Sequence, residues 1–115
     1  MTATDRLTSN LLALSIALAA GRCALAQNTS ELEHGKQVFD YWCAPCHAPG
    51  PRHPGTQALE ALYKGQKPAA LEQREDLRPP VTATFVRNGV SIMPPFRKTE
   101  ISDADLAALA AYLAR

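Results

Sequence analysis

The chain has 115 residues, 9 prolines and a formal net charge of +1. This length allows one small domain, and the near-neutral charge gives no argument for a nucleic-acid partner. A domain of this size is marginal for a self-sufficient hydrophobic core, so a group bound at its centre would support folding.

The N-terminal segment is typical of a secretory signal. Arg6 precedes an apolar run at residues 11–20, and the small-x-small pattern Ala24-Leu25-Ala26 follows shortly after. The run is shorter than the about 20 apolar residues that span a bilayer, and this order of features is that of an export signal. We therefore predict a cleaved signal peptide at 1–26, a mature domain at 27–115, a periplasmic location and no transmembrane anchor after cleavage. A buried N-terminal helix or an uncleaved anchor is the alternative.

The mature chain is predicted to begin with a helix. Ser30 and Glu33 have the spacing of a capping box. Small or apolar residues then recur at helical intervals, namely Leu32, Gly35, Phe39 and Trp42. Glycine costs roughly 1 kcal/mol against alanine inside a helix, so we expect another backbone to approach closely at Gly35.

The run Cys43-Ala44-Pro45-Cys46-His47 has the spacing of a covalent haem attachment site. Two thiols three positions apart can each bond a vinyl group of one porphyrin, and the histidine that follows can supply an axial nitrogen. Cys23 would leave with the signal peptide, so haem would consume both remaining thiols. We predict one covalent haem c on Cys43 and Cys46, with His47 as an axial iron ligand.

The middle of the chain is predicted to alternate loops with short helices. The stretch at 48–56 is rich in proline and glycine, which indicates a loop. We then predict, in order, a short helix containing Leu59, Leu62 and Tyr63 that ends at Gly65, a polar stretch at 64–80 with a helical turn near Leu71, and a helix at 81–88 started by Pro79-Pro80 and capped by Gly89.

Met93 is predicted to be the second axial ligand. It is the only methionine after the signal peptide, and a thioether favours ferrous iron. Pro94 and Pro95 hold it in extended backbone and stiffen the loop, which lowers the entropy lost on ligation. The alternatives are that Met93 fills a gap in the core, or that His34 or His53 ligates iron. We expect both histidines to face solvent.

The chain is predicted to end in a second capped helix. Ser102 and Asp105 repeat the capping signature, with Ile101 and Leu106 placed for a hydrophobic staple. The apolar stripe of this helix consists of Leu106, Leu109, Ala110 and Leu113. We expect the two terminal helices to cross near Gly35, with Phe39 and Tyr112 close by. No segment alternates with period two, so the domain is predicted to be all-α.

Other functions use some of the same residues. The run from Trp42 to Cys46 also looks like the redox dithiol of thioredoxin-type enzymes, but that chemistry belongs to a βαβ framework. Zinc would need more ligands than two cysteines and one adjacent histidine. A haem enzyme or sensor would need an open iron position, which Met93 in a proline-stiffened loop does not leave.

Together these segments resemble the class I c-type cytochromes, in particular the short monohaem bacterial kind. The matching pieces are residues 35–39, Cys43 to His47, residues 86–89, Met93 to Phe96 and residues 109–113. The resemblance implies the cytochrome c fold, with three to four helices around one haem c and the terminal helices crossing at Gly35. It also implies thioether bonds at Cys43 and Cys46 and axial ligation by His47 and Met93. The carbonyl of Pro51 or of Pro54 would orient the His47 ring.

The same resemblance implies an electron carrier and not an enzyme. The segment 86–96 is similar to the cytochrome subunit of p-cresol methylhydroxylase-type flavoenzymes, which suggests a flavoprotein dehydrogenase as donor. Another cytochrome or a terminal oxidase would accept the electron for the respiratory chain. Four basic residues are candidates for a docking rim, although such charges are more often plain surface: Arg52, Arg87, Arg97 and Lys98.

Overall fold

The computed structural model of the chain describes residues 28–115. The predicted signal peptide at 1–26 therefore lies outside the described residues, as does Cys23. The compact unit that carries the features below is Glu31–Arg115. The described residues form helices and no β-strand. Their β pairing consists of one isolated bridge between Val90 and Met93. The prediction of an all-α fold is confirmed.

The first helical segment runs without a break through the two cysteines. Residues 28–38 form helix α1, a π-helical turn covers Phe39–Cys43, and helix α2 covers Ala44–His47. The turn is π-helical because the Ala44 N–H donates to the Phe39 carbonyl five residues earlier. The prediction that Ser30 is the N-cap is wrong, since helix already covers 28–30.

Three longer helices follow in the order predicted. Helix α3 covers Pro54–Tyr63, α4 covers Pro79–Asn88 and α5 covers Asp103–Leu113, with a 3₁₀ turn at Leu71–Gln73. Helix α3 begins inside the stretch that we predicted as loop, because proline is well suited to the first helical position. None of the helices in the range 28–115 is long and apolar enough to cross a membrane.

Helices α1 and α5 cross at Gly35, as predicted. A Cβ atom on Gly35 would lie 2.1 Å from the Ala108 carbonyl oxygen and 2.7 Å from the Tyr112 Cβ. One turn further along, the rings of Phe39 and Tyr112 meet with their centroids 6.0 Å apart. Phe39 and Leu109 are fully buried, so this crossing is the centre of the hydrophobic core.

We expect Gly35→Ala to destabilise the protein by about 3 kcal/mol, although alanine is the better helix former. The new methyl would meet the backbone of α5, which cannot move aside as a flexible side chain could. Thermal unfolding of the purified protein measures the loss. Gln37→Ala is the matched control, because Gln37 is exposed on the same helix. Equal melting temperatures for the two variants would contradict the close crossing.

The capping box of α5 also contacts α1. The Ser102 hydroxyl accepts from the Asp105 N–H at 3.1 Å, and the Ser102 N–H donates to Asp105 Oδ2 at 3.2 Å. Asp105 Oδ1 lies 2.7 Å from His34 Nε2. The Ser102 hydroxyl also donates to Asp105 Oδ2 at 2.8 Å, and this bond, followed by that from His34, lowers the pKa of the Asp105 carboxyl. His34 is exposed, as expected, and its ring in addition bridges the two terminal helices.

This lowered pKa predicts a pH-dependent contribution to stability. A carboxyl with a depressed folded-state pKa stabilises the fold above its unfolded-state value of about 3.9 and loses that effect as the pH falls through the folded-state pKa. We expect Asp105→Ala to melt below wild type at neutral pH, with the difference shrinking below about pH 4. Glu33→Gln, at an exposed residue of α1, is the control for a general effect of removing a surface carboxyl. A gap that is constant with pH would contradict the charged contact.

The polar stretch at 64–80 is held in place by a charge network. Arg74 makes two hydrogen bonds to Asp76, at 2.7 and 2.8 Å, and a third to the Tyr63 hydroxyl at 2.8 Å. Lys67 adds a 3.1 Å bond to Asp76 and lies over the Tyr63 ring. Leu77 is buried in the core. The stretch is therefore an ordered part of the domain.

Candidate functional site

The continuous helix places the cysteines and the histidine in different surroundings. Cys43 lies at the end of the π-helical turn and is buried in the hydrophobic core. Cys46 lies one turn further on in α2 and is exposed. His47 is the last residue of α2 and is half-buried. One helical segment thus presents two thiols and one imidazole at neighbouring positions.

The His47 ring packs against the first turn of α3. A Cβ atom on Gly55 would lie 2.6 Å from His47 Cε1 and 2.8 Å from His47 Nδ1. The Nδ1 atom is buried and has no hydrogen-bond partner within residues 28–115. Burial lowers the pKa of the His47 imidazole, which favours the neutral form that binds metals. Because the backbone of Gly55 covers the Nδ1 side of the ring, Nε2 is the nitrogen available to a ligand.

Two further contacts join α3 to the end of α2. His53 Nδ1 lies 3.1 Å from the Pro45 carbonyl, so this histidine does not simply face solvent as we expected. The Thr56 hydroxyl, which is 2% exposed, donates to the Ala48 carbonyl at 2.9 Å. The sequence offered no periodic signal for these contacts, because they depend on the path of the loop.

Neither loop proline orients the His47 ring by a hydrogen bond in the structure. The Pro51 carbonyl accepts instead from the Gln57 side chain. Pro54 is the first residue of α3, and its helical position places Gly55 beside the ring. Close packing by Gly55 is therefore the contact that α3 makes with His47.

Met93 lies in a tight reverse turn after α4. The Val90 N–H donates to the Met93 carbonyl at 3.0 Å, and the Met93 N–H returns to the Val90 carbonyl at 2.9 Å. Gly89 precedes the turn with φ +68°, and a Cβ atom there would lie 2.6 Å from the Met93 carbonyl oxygen. Ser91 also has positive φ, at 52°. The Met93 side chain is half-buried and packs against the same hydrophobic core that contains Cys43.

The segment after Met93 is fixed at several points. The Phe96 N–H donates to the Val86 carbonyl of α4 at 2.8 Å. Arg87 donates to the Phe96 carbonyl at 3.1 Å and to Asp103 at 2.9 Å. The Phe96 ring meets the edge of Trp42, next to Cys43, with the centroids 5.7 Å apart. Residues 89–96, which we call the methionine loop, are therefore held both by α4 and by the helix that carries the cysteines.

Comparison with known proteins decides the family. A family model described as "Cytochrome C oxidase, cbb3-type, subunit III" matches residues 30–113. The chain is 34% identical over 103 residues to a protein named cytochrome c6 from Cyanidium caldarium, covering 85% of this chain and 87% of that protein. A cytochrome c6 from Cyanidioschyzon merolae (strain NIES-3377 / 10D) is 33% identical over 84 residues, 73% of each chain. No match was found among solved structures. The chain belongs to the c-type cytochromes.

As a c-type cytochrome, the protein carries one covalently bound haem c with its iron. It is an electron carrier and not an enzyme, and its partners are redox proteins. The prediction of a monohaem cytochrome with the cytochrome c fold is confirmed.

The residues of this cytochrome fit a porphyrin. Two thiols, an imidazole and a thioether are the donor set that covalent haem requires. Large apolar side chains are also exposed on α3, α4 and the methionine loop, where a flat apolar group can cover them: Leu62, Val81, Phe85 and Val90. Val81 and Phe85 are four residues apart and share one face of α4.

The surroundings of Cys43 argue against the dithiol alternative. The first cysteine of a redox dithiol must be a low-pKa nucleophile. In this cytochrome, burial, followed by the nearby Cys46, raises the pKa of the Cys43 thiol to about 12. Within residues 28–115, no three His, Cys, Asp or Glu side chains lie close enough to hold a metal ion together.

Most of the candidate basic rim is already paired with acidic groups. Arg87 and Lys98 both bond Asp103, the latter at 2.7 Å, and Arg97 lies 3.5 Å from Glu100. These pairs neutralise much of the local charge. Arg87 is, moreover, a structural support of the methionine loop.

Proposed function

We propose that this cytochrome passes single electrons in the periplasm through a haem c bonded to Cys43 and Cys46, with His47 and Met93 as the axial iron ligands. The observation that carries the proposal is the fixation of both ligand positions. His47 is packed against Gly55, and Met93 lies in a hydrogen-bonded turn. The bound haem supplies the one-electron Fe(III)/Fe(II) chemistry.

The protein's own residues hold the site still during electron transfer. The Met93 turn is supported by bonds from Phe96 to α4 and from Arg87 to Phe96. The buried core around Cys43 keeps water from one side of the site. A site that keeps its ligands in both oxidation states reorganises little. It also leaves no open iron position for substrate or gas, which distinguishes this function from a haem enzyme or sensor.

We propose a periplasmic dehydrogenase, in particular a flavoprotein, as the electron donor and another cytochrome or a terminal oxidase as the acceptor. The flavoprotein donor is proposed on the resemblance, taken from the sequence of 86–96 alone, to the cytochrome subunit of p-cresol methylhydroxylase-type flavoenzymes. The secretory pattern at 1–26 supports the location. Rapid mixing with a reduced periplasmic flavoprotein dehydrogenase from the same organism should reduce the cytochrome in a saturable reaction. A rate no faster than with an unrelated flavoprotein would contradict this donor.

The absorption spectrum of protein matured in a host competent for cytochrome assembly tests the ligation. Six-coordinate His/Met ligation predicts low-spin bands and, in the oxidised form, a weak long-wavelength methionine–iron band. High-spin features would indicate an open iron position and favour a haem enzyme or sensor. A colourless protein would contradict haem attachment altogether.

A further inference from the structure

The first turn of α3 contacts the end of α2 at consecutive positions. Gly55 lies against the His47 ring, and a Cβ atom there would also come within 2.7 Å of the Cys46 carbonyl oxygen. The next residue, Thr56, holds the Ala48 carbonyl with its buried hydroxyl at 2.9 Å. Imidazole and backbone of the attachment motif are thus both fixed by α3.

The contact with His47 requires a glycine at position 55. It has ordinary helical backbone, so no positive φ demands a glycine there. Alanine at this position would favour the helix by roughly 1 kcal/mol. What excludes a side chain is the ring of His47 together with the Cys46 carbonyl. The absence of a side chain therefore lets the ring lie directly against the α3 backbone.

The Thr56 contact acts on the residue after His47. Thr56 is 2% exposed, and its hydroxyl is satisfied by the bond to the Ala48 carbonyl. This hydrogen bond is part-buried, and a carbonyl that loses its donor there costs free energy, so losing the hydroxyl would loosen the Ala48 peptide and the end of α2. Thr56 thereby limits the movement of the backbone that carries the His47 ring.

We propose that Gly55 and Thr56 are positioning residues that fix the orientation of the His47 ring and thereby set the reduction potential of the haem. The inference rests on His47 being an axial ligand, as proposed above. Contacts beyond the ligand itself orient metal-bound imidazoles and tune their donor strength. A displaced ring would change the balance between ferric and ferrous iron without removing the ligand.

The test compares Gly55→Ala with Gly65→Ala in the full-length cytochrome. A Cβ atom on Gly65 would meet nothing within 4 Å, although its φ of +79° makes alanine strained there. Both variants lose stability, but only Gly55→Ala should change the midpoint potential and the EPR g-values of the oxidised haem. We expect its reduction equilibrium to change at least threefold, about 28 mV at 59 mV per tenfold for one electron.

Substitutions of Thr56 keep the test decisive if Gly55→Ala yields no holoprotein. Thr56→Val keeps the volume but removes the hydroxyl, whereas Thr56→Ser keeps the donor. The valine variant should change the g-values and potential, and the serine variant should restore them. Wild-type potential and g-values in Gly55→Ala or Thr56→Val would overturn the inference. If the unsubstituted protein itself lacks the methionine–iron band in its oxidised form, that result would instead count against the proposed ligation.

Discussion

Met93→Ala should keep its covalent haem but lose its sixth ligand. The thioether stabilises ferrous iron, so its removal should lower the midpoint potential by on the order of 100 mV, within the range of about 0.8 V that axial ligands span. The opened position should bind azide or imidazole. Spectroelectrochemistry measures the potential, and absorption titration measures ligand binding.

Ile92→Ala is the matched control for this prediction. Ile92 precedes Met93 in the same turn, and it is 82% exposed. Its variant should keep the methionine–iron band and should not bind azide. Because the turn is closed by backbone bonds between Val90 and Met93, neither substitution removes the hydrogen bonds that shape it. An unchanged midpoint in Met93→Ala would show that another residue is the sixth ligand.

Cys46→Ser should lower the yield of stable holoprotein severely. Cys46 is exposed, so serine there costs little in packing, and the loss reports on the thioether bond itself. The domain is also small enough that its core depends on the bound porphyrin. We expect at least a tenfold fall in haem-containing protein per cell, a drop of about 1.4 kcal/mol or more if folding alone set the yield. The yield is measured by absorbance of the purified fraction against total protein.

Pro45→Ala provides the comparison within the same motif. Pro45 is exposed between the two cysteines, and its backbone carbonyl, which contacts His53, is kept in the variant. This protein should mature with a yield close to that of wild type. A Cys46→Ser variant that matched it in yield and melting temperature would contradict covalent attachment at Cys46.

Local patterns in the sequence predicted much of the architecture. The capping box at Ser102 is a short-range signal, because its partners are three residues apart. A glycine at position 35 is unusual inside a helix, and this predicted the close approach of another backbone, which is that of α5. The spacing of Cys43, Cys46 and His47 predicted a covalent haem, because the attachment motif is a short-range pattern.

Other features depend on tertiary contacts and could not be predicted. The π-helical turn at Phe39–Cys43 has no sequence signature of its own, yet it sets the register of both thiols. The bridge from His34 to Asp105 joins residues 71 positions apart. The contact of Gly55 with His47 likewise requires knowing how the loop after α2 returns. A glycine in the first turn of a helix, directly after proline, was the available hint.

Intact mass and the pyridine haemochrome spectrum of one purified sample test the central claim most directly. The account predicts a mass equal to the mature polypeptide plus one haem. The haemochrome should be that of a porphyrin saturated at both vinyl groups, and proteolysis should place the added mass on the peptide containing Cys43 and Cys46. A polypeptide of unmodified mass, or haem that acid-acetone extracts, would contradict it.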